Sequence, residues 1–352
     1  MLSDRCPDCE SQNENRSENL GDVSRRRFLK TAAATAAVAT LPRVIVAADE
    51  PKPTSENLVK KLYESLTPEQ KSEVCFDWDY KDDRGLLRTH VSNNWNITDT
   101  AWNVGGKHFT SDQQGIIEAL FWGLYNPEWH DRLRKQLQDD AGGYGKAQTI
   151  ALFGTPGSDK FEFVMTGRHL TIRCDGNTTS NVAFGGPIFY GHAASGFNEP
   201  ANHAGNVYWH QALKANGLFK MLDGKQRDKA LIATAPHESQ VGFRGKAEDI
   251  PGLPVSELTA DQKTHAQDIL KTLLEPYRSS DQDEARKCLE AKGGLDQCRL
   301  AFYKSGDLGN DGVWDNWRLE GPAFVWHYRG TPHVHVWVNV ADDSTLPLNA
   351  KG

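Results

Sequence analysis

The chain has 352 residues, 38% of them hydrophobic, and a formal charge of -7 from 40 Lys and Arg against 47 Asp and Glu. An acidic balance without a basic stripe excludes a nucleic-acid binder that works by charge. No apolar run reaches the roughly 20 residues of a membrane-spanning helix, so no stable membrane insertion of the mature chain is expected.

The first readable element is Ser24-Arg25-Arg26-Arg27-Phe28-Leu29-Lys30. An arginine pair between a serine and an apolar Phe-Leu has the form of a twin-arginine export address. A mild apolar run follows over 31–41, Pro42 and Arg43 interrupt it, and Val46-Ala47-Ala48 offers a small-residue cleavage pattern. Residues 1–48 therefore read as signal and leader, and 49–352 as a single α+β domain. The twin-arginine translocase is the expected partner during export, and the periplasm or another exported location the destination. That route carries folded proteins, which raises the expectation of a cofactor loaded before export. Cys6-Pro7-Asp8-Cys9 reads as part of a polar leader, with half of a zinc site or a redox pair as alternatives.

Four helix starts come next. Thr67, Thr110, Asp223 and Thr259 each follow an apolar residue and precede a Gln three positions on: Gln70, Gln113, Gln226 and Gln262. This is the capping-box pattern, in which the first side chain binds an orphan amide and the Gln reaches back. The four copies read either as an ancestral repeat or as four unrelated caps. Ile116, Ile117, Leu120, Phe121 and Leu124 keep helical spacing after the second copy. Trp129, Leu133 and Leu137 restart it beyond Pro127, and Ala266, Ile269, Leu270, Leu273 and Leu274 repeat it up to Pro276.

Strands occupy other stretches. Residues 161–165, a Thr166-Gly167 turn and 169–174 read as a β-hairpin, which 182–189 can extend. Residues 317–319, 323–328 and 333–340 read as further strands. The expected fold class is α+β, an antiparallel β-sheet packed against several capped α-helices. Between the strand groups, 185–205 reads as a loop over the sheet. In it His192 and His203 can contact substrate or complete a site, or can be ordinary histidines of a packed loop. Gly191-His192-Ala193-Ala194-Ser195-Gly196 is not a nucleophile elbow, since that motif has glycine where Ala193 stands. Cys288 and Cys298 bracket a Gly-Gly turn and read either as a disulfide or as two free thiols. Asp307, Asn310, Asp311 and Asp315 lie among glycines and read as a turn-rich loop, because their spacing does not fit the twelve-residue calcium loop.

The chemistry concentrates near the end of the chain. In Pro332-His333-Val334-His335-Val336-Trp337-Val338-Asn339-Val340, strand alternation puts four valines on one face and His333, His335, Trp337 and Asn339 on the other. Two imidazoles two residues apart on one strand face are spaced to hold one metal ion. His169, on the polar face of the hairpin with Thr171 and Arg173, is the expected third ligand if the strands lie side by side. Glu320 is the expected carboxylate, as ligand, acid/base, or acceptor fixing an imidazole tautomer. Three neutral imidazoles suit zinc, copper, iron or nickel, so the expected cofactor is a transition metal ion. The alternative is a set of sheet-face histidines with structural hydrogen bonds.

Gly167-Arg168-His169-Leu170, the capped Gln positions, Glu320-Gly321-Pro322 and His333-x-His335 together resemble an uncharacterised bacterial family, domain of unknown function 3500, from about Cys75 onward. Against the family pattern, Arg168 stands where a second histidine is expected and Pro332 where an asparagine is. The arginine expected after the final motif has Asn339 near its place. The resemblance implies an exported, histidine-rich domain and supplies no reaction. The residues point to a periplasmic metalloenzyme of hydrolytic or oxidative type acting on an unidentified small molecule. The alternative is a non-enzymatic ligand- or metal-binding protein.

Overall fold

The computed structural model describes residues 54–176 and 182–351. The export signal, the Cys6 and Cys9 pair and the expected cleavage point after Ala48 lie outside them.

All four predicted caps form. Thr67, Thr110, Asp223 and Thr259 each accept from the amide of the Gln three residues on, whose side chain returns to the cap amide. They start α2 (Pro68–Val74), α3 (Ser111–Gly123), α6 (Gly224–Ala230) and α7 (Ala260–Leu274). The other α-helices among the described residues are α1 (Ser55–Ser65), α4 (His130–Ala141), α5 (Trp209–Met221) and α8 (Ser279–Ala291). The capping glutamines also bind each other in pairs. Gln70 Nε2 donates to Gln113 Oε1 at 2.8 Å and the reverse bond is 3.0 Å. Gln226 and Gln262 do the same at 3.0 and 2.9 Å.

Among the described residues the main sheet has 11 strands. In chain order they are β1 (Cys75–Phe76), β2 (Thr149–Gly154), β3 (Phe161–Gly167), β4 (Leu170–Cys174), β5 (Ile188–His192), β6 (Leu231–Ile232), β7 (Leu253–Pro254), β8 (Arg299–Tyr303), β9 (Asn316–Gly321), β10 (Phe324–Arg329) and β11 (Val334–Val340). Their spatial order is β1-β2-β3-β4-β5-β11-β10-β9-β8-β7, with β6 also on β8. The fold is α+β as expected, but the sheet is mixed rather than purely antiparallel. β1 pairs parallel with β2 and β6 parallel with β8. Each of these two-residue strands follows a short helix and reaches its partner through two long helices, the kind of connection that parallel pairing requires.

The succession α-α-β, loop, α-α and four antiparallel strands thus occurs twice, over 55–192 and 209–340. The two halves join edge to edge where β5 pairs antiparallel with β11. The paired glutamines repeat at matching places in both halves, which supports the repeat reading of the four caps.

Both faces of the sheet are covered. Val334, Val336, Val338 and Val340 enter the large core under the helices. The other face, expected to be polar, lies under segments outside the main sheet that carry Val91, Val241, Phe243 and Leu348, packed on Phe189, Val325 and Trp337. Two further expectations change. Gly167 pairs with Leu170, so the hairpin turn is Arg168-His169, not Thr166-Gly167. Ile188–His192 is a central strand, so only the part of 185–205 beyond it is loop. Of the two readings of Cys288 and Cys298, the structure has the free thiols, both buried. In the Asp307–Asp315 stretch the carboxylates accept from backbone amides, Asp311 from Val313 and Asp315 from Leu308, as in an ordinary turn-rich loop.

Candidate metal centre

Three strands and a turn set the positions of the imidazoles. Tyr190 pairs with Leu170 on one side and with Val336 on the other, and Gly191 pairs with His335. Continued one step into the turn, this register places His169, Gly191 and His335 in one row across the sheet. Gly191 has no side chain to fill the gap between the two imidazoles. A Cβ there would lie 3.4 Å from the His169 ring and 2.4 Å from the Val334 carbonyl oxygen. His169 sits in the left-handed region at φ 54, a conformation uncommon for residues other than glycine, though histidine adopts it more readily than most. His333 precedes β11 and completes the group.

The three Nε2 atoms form a triangle. His169 and His333 are 3.1 Å apart, His169 and His335 3.2 Å, and His333 and His335 3.0 Å. All three residues are buried, at 1 to 3% exposure. Their other nitrogens each face an acceptor. His335 Nδ1 donates to Glu238 Oε2 at 2.8 Å and His333 Nδ1 to the Phe197 carbonyl at 2.8 Å. His169 Nδ1 lies 2.9 Å from Asp140 Oδ2, close in distance though bent in angle. A carbonyl or an ionised carboxylate can only accept, so each Nδ1 holds the proton and each Nε2 presents a lone pair. Three lone pairs therefore point at one place. In a tetrahedral site with bonds of about 2.0–2.1 Å the nitrogens stand about 3.3 Å apart, close to the spacing here. The group can hold a metal ion.

The two carboxylates are themselves held. Glu238 also accepts from Trp337 Nε1 at 3.1 Å and Arg329 Nη1 at 3.0 Å. Burial alone would raise its carboxyl, but the His335 contact, the Arg329 charge and the Trp337 N–H bring it down to about 2. Asp140 accepts from Gln136 Nε2 at 2.7 Å and from the Ala193 amide at 3.0 Å. Burial acts against its charge too, yet the His169 contact keeps its pKa below the ordinary value. Burial pushes the His335 imidazole down to about 3 and lowers His333. Both are thus neutral at ordinary pH, the state a ligand needs.

The other expected site residues lie elsewhere. Glu320 accepts from Arg244 Nε at 2.8 Å and Arg318 Nη1 at 3.3 Å. The carboxylates at the histidines are Asp140 and Glu238 instead. His192 alternates to the helix face of the sheet, where its Nε2 is 3.0 Å from Asp139 Oδ2. His203 is buried between Glu199 Oε2 at 2.6 Å and Asp315 Oδ1 at 3.0 Å. Burial would lower its pKa, but the bonds to Asp315 and Glu199 raise it. Sequence reasoning missed Asp140 and Glu238. One signal was present for the first: Asp139-Asp140 closes α4, where the helix dipole disfavours carboxylates. Glu238 comes from an irregular segment and gave no signal.

Fold and site together define an α+β protein with a buried three-nitrogen group able to hold a metal ion. The sequence profile of the family described as Protein of unknown function (DUF3500) matches residues 48–340, and the chain belongs to that family. A TAT (twin-arginine translocation) pathway signal sequence matches residues 22–42. The protein is therefore exported by that pathway, to the periplasm or beyond. None of the curated proteins and none of the solved structures compared matches the chain.

Proposed function

We propose that this protein is an exported metalloenzyme in which His169, His333 and His335 bind one transition-metal ion. The observation that carries the reading is the convergence of three Nε2 atoms within 3.2 Å of one another, with the Nδ1 atoms of His333 and His335 bonded to acceptors and that of His169 2.9 Å from Asp140 Oδ2. Three protein ligands leave a coordination position for water or substrate, whereas structural zinc sites use four. An ion bound there would activate water or oxygen, giving hydrolytic or oxidative chemistry. Asp140 and Glu238 orient the imidazoles, raise their basicity and offset the charge of a divalent ion. Glu320, tied to two arginines, takes no part in this proposal. A second reading, a protein that binds metal or ligand without catalysis, draws on the depth at which the histidines lie.

Cobalt tests the first reading. Metal-stripped protein given Co2+ is expected to bind about one equivalent and to show visible bands that shift when azide is added. Bands insensitive to azide would mean a closed site and favour the second reading. Absence of binding would remove the metal centre and move the weight to a protein that binds a small ligand without metal.

A further inference from the structure

The metal centre has one apolar neighbour that faces solvent. Phe197 is 68% exposed, more than any other large hydrophobic residue among those described. Its ring stands 5.3 Å from the His333 ring at 71°. Single exposed apolar residues are ordinary on protein surfaces, but this one is held in place. Its own carbonyl accepts from His333 Nδ1. Two residues on, the Glu199 amide donates to the Pro332 carbonyl at 2.9 Å. The Glu199 carboxylate accepts from the Ala194 amide at 2.5 Å and contacts His203, which reaches Asp315 on the far side. The His203 ring also lies 4.1 Å from the Trp209 ring. The main chain around Phe197 is thus tied to the ligand segment and to the second half of the sheet, while its side chain is left in water.

On the inner side the imidazoles meet a second phenyl ring. Phe189 is 5.1 Å from His335 and 6.4 Å from His169, and it is buried. The histidine group is therefore flanked by a buried ring at His335 and His169 and by an exposed ring at His333. We infer that the centre takes a small molecule with an apolar or aromatic group next to its metal-binding oxygen, and that Phe197 is the residue that selects it. This rests on the metal-centre reading. A ligand bound through oxygen alone would leave Phe197 in water. One with an adjoining ring covers it and gains both apolar burial and an aromatic contact.

Two hydroxamates separate these cases, because acetohydroxamate and benzohydroxamate share a chelating group and differ in the apolar part. Metal content is measured first, and the metal-loaded protein is then titrated with each. The expected result is tighter binding of benzohydroxamate by about fivefold or more. Phe197→Ala keeps the main-chain carbonyl on His333, so it is expected to retain metal and to bind the two compounds almost equally. Phe197→Leu should keep part of the preference. Equal affinities in the natural protein would overturn the inference, as would a preference that survives in Phe197→Ala. Binding of neither hydroxamate to protein that holds metal would overturn it and leave the metal centre standing. Protein that takes up no metal would remove the centre and this inference with it.

Discussion

Glu238 joins three groups at one carboxylate: His335 through Nδ1, Trp337 through Nε1 and Arg329 through Nη1. Its bond to His335 fixes which imidazole nitrogen is free to bind metal. Glu238→Gln preserves shape and removes the charge that makes the partner acceptor-only. An outer partner of this kind typically contributes about 10–100-fold to metal affinity, so a weakening of that order is expected in a competition titration against a chelator. An unchanged dissociation constant would show that Glu238 holds the loop and not the tautomer. Residue by residue, the three histidines were legible as a group, His333 and His335 from strand alternation and His169 from the hairpin. The expected side-by-side strands are not what joins them: β5 runs between β4 and β11, and His169 stands in the turn. Their carboxylates were not legible, because Asp140 comes from the end of a helix and Glu238 from an irregular segment. Proximity between separate elements leaves no local pattern in a sequence. Glu320 illustrates the converse. It lies near the histidine strand in the chain, but its partners in space are Arg244 and Arg318.

At the scale of elements, the pairing of β5 with β4 and β11 brings His169 and His335 into one row, and Gly191 leaves the room between them. Gly191→Ala puts a Cβ 2.4 Å from the Val334 carbonyl oxygen. That contact is with backbone, so the central strands must separate or shift. A loss of stability of about 1–3 kcal/mol is expected, read as a lower denaturation midpoint, together with weaker metal binding. A variant as stable as the natural protein would show that the row is looser than described. The capped helices were readable from sequence because a capping box is a local chemical pattern. So were the final strands, from their alternation. β2 was missed although Thr149-Ile150-Ala151-Leu152-Phe153 is a short apolar run, and β8 was missed likewise. Strands buried on both faces lack alternation and cannot be told from buried helix by period alone. The parallel pairs β1 with β2 and β6 with β8 are two residues long and carry no sequence signal at all.

Over the whole molecule, the two repeated halves meet at β5 and β11, and the site sits on that seam. His169 belongs to the first half, and His333 and His335 to the second. In the matching turn of the second half, between β9 and β10, the residues are Pro322 and Ala323. The repeat is therefore structural, and the second half carries no counterpart of His169 at its matching turn. Export by the twin-arginine pathway fits this arrangement, since the three ligands come together only after both halves have folded. The most direct measurement is elemental analysis of the mature protein purified from the periplasm without a histidine-rich tag, beside His333→Ala and His335→Ala. The account predicts about one equivalent of a transition metal in the natural protein and loss of it in both variants. Full stoichiometry in both variants, or no metal in the natural protein even after incubation with zinc and copper, would contradict it.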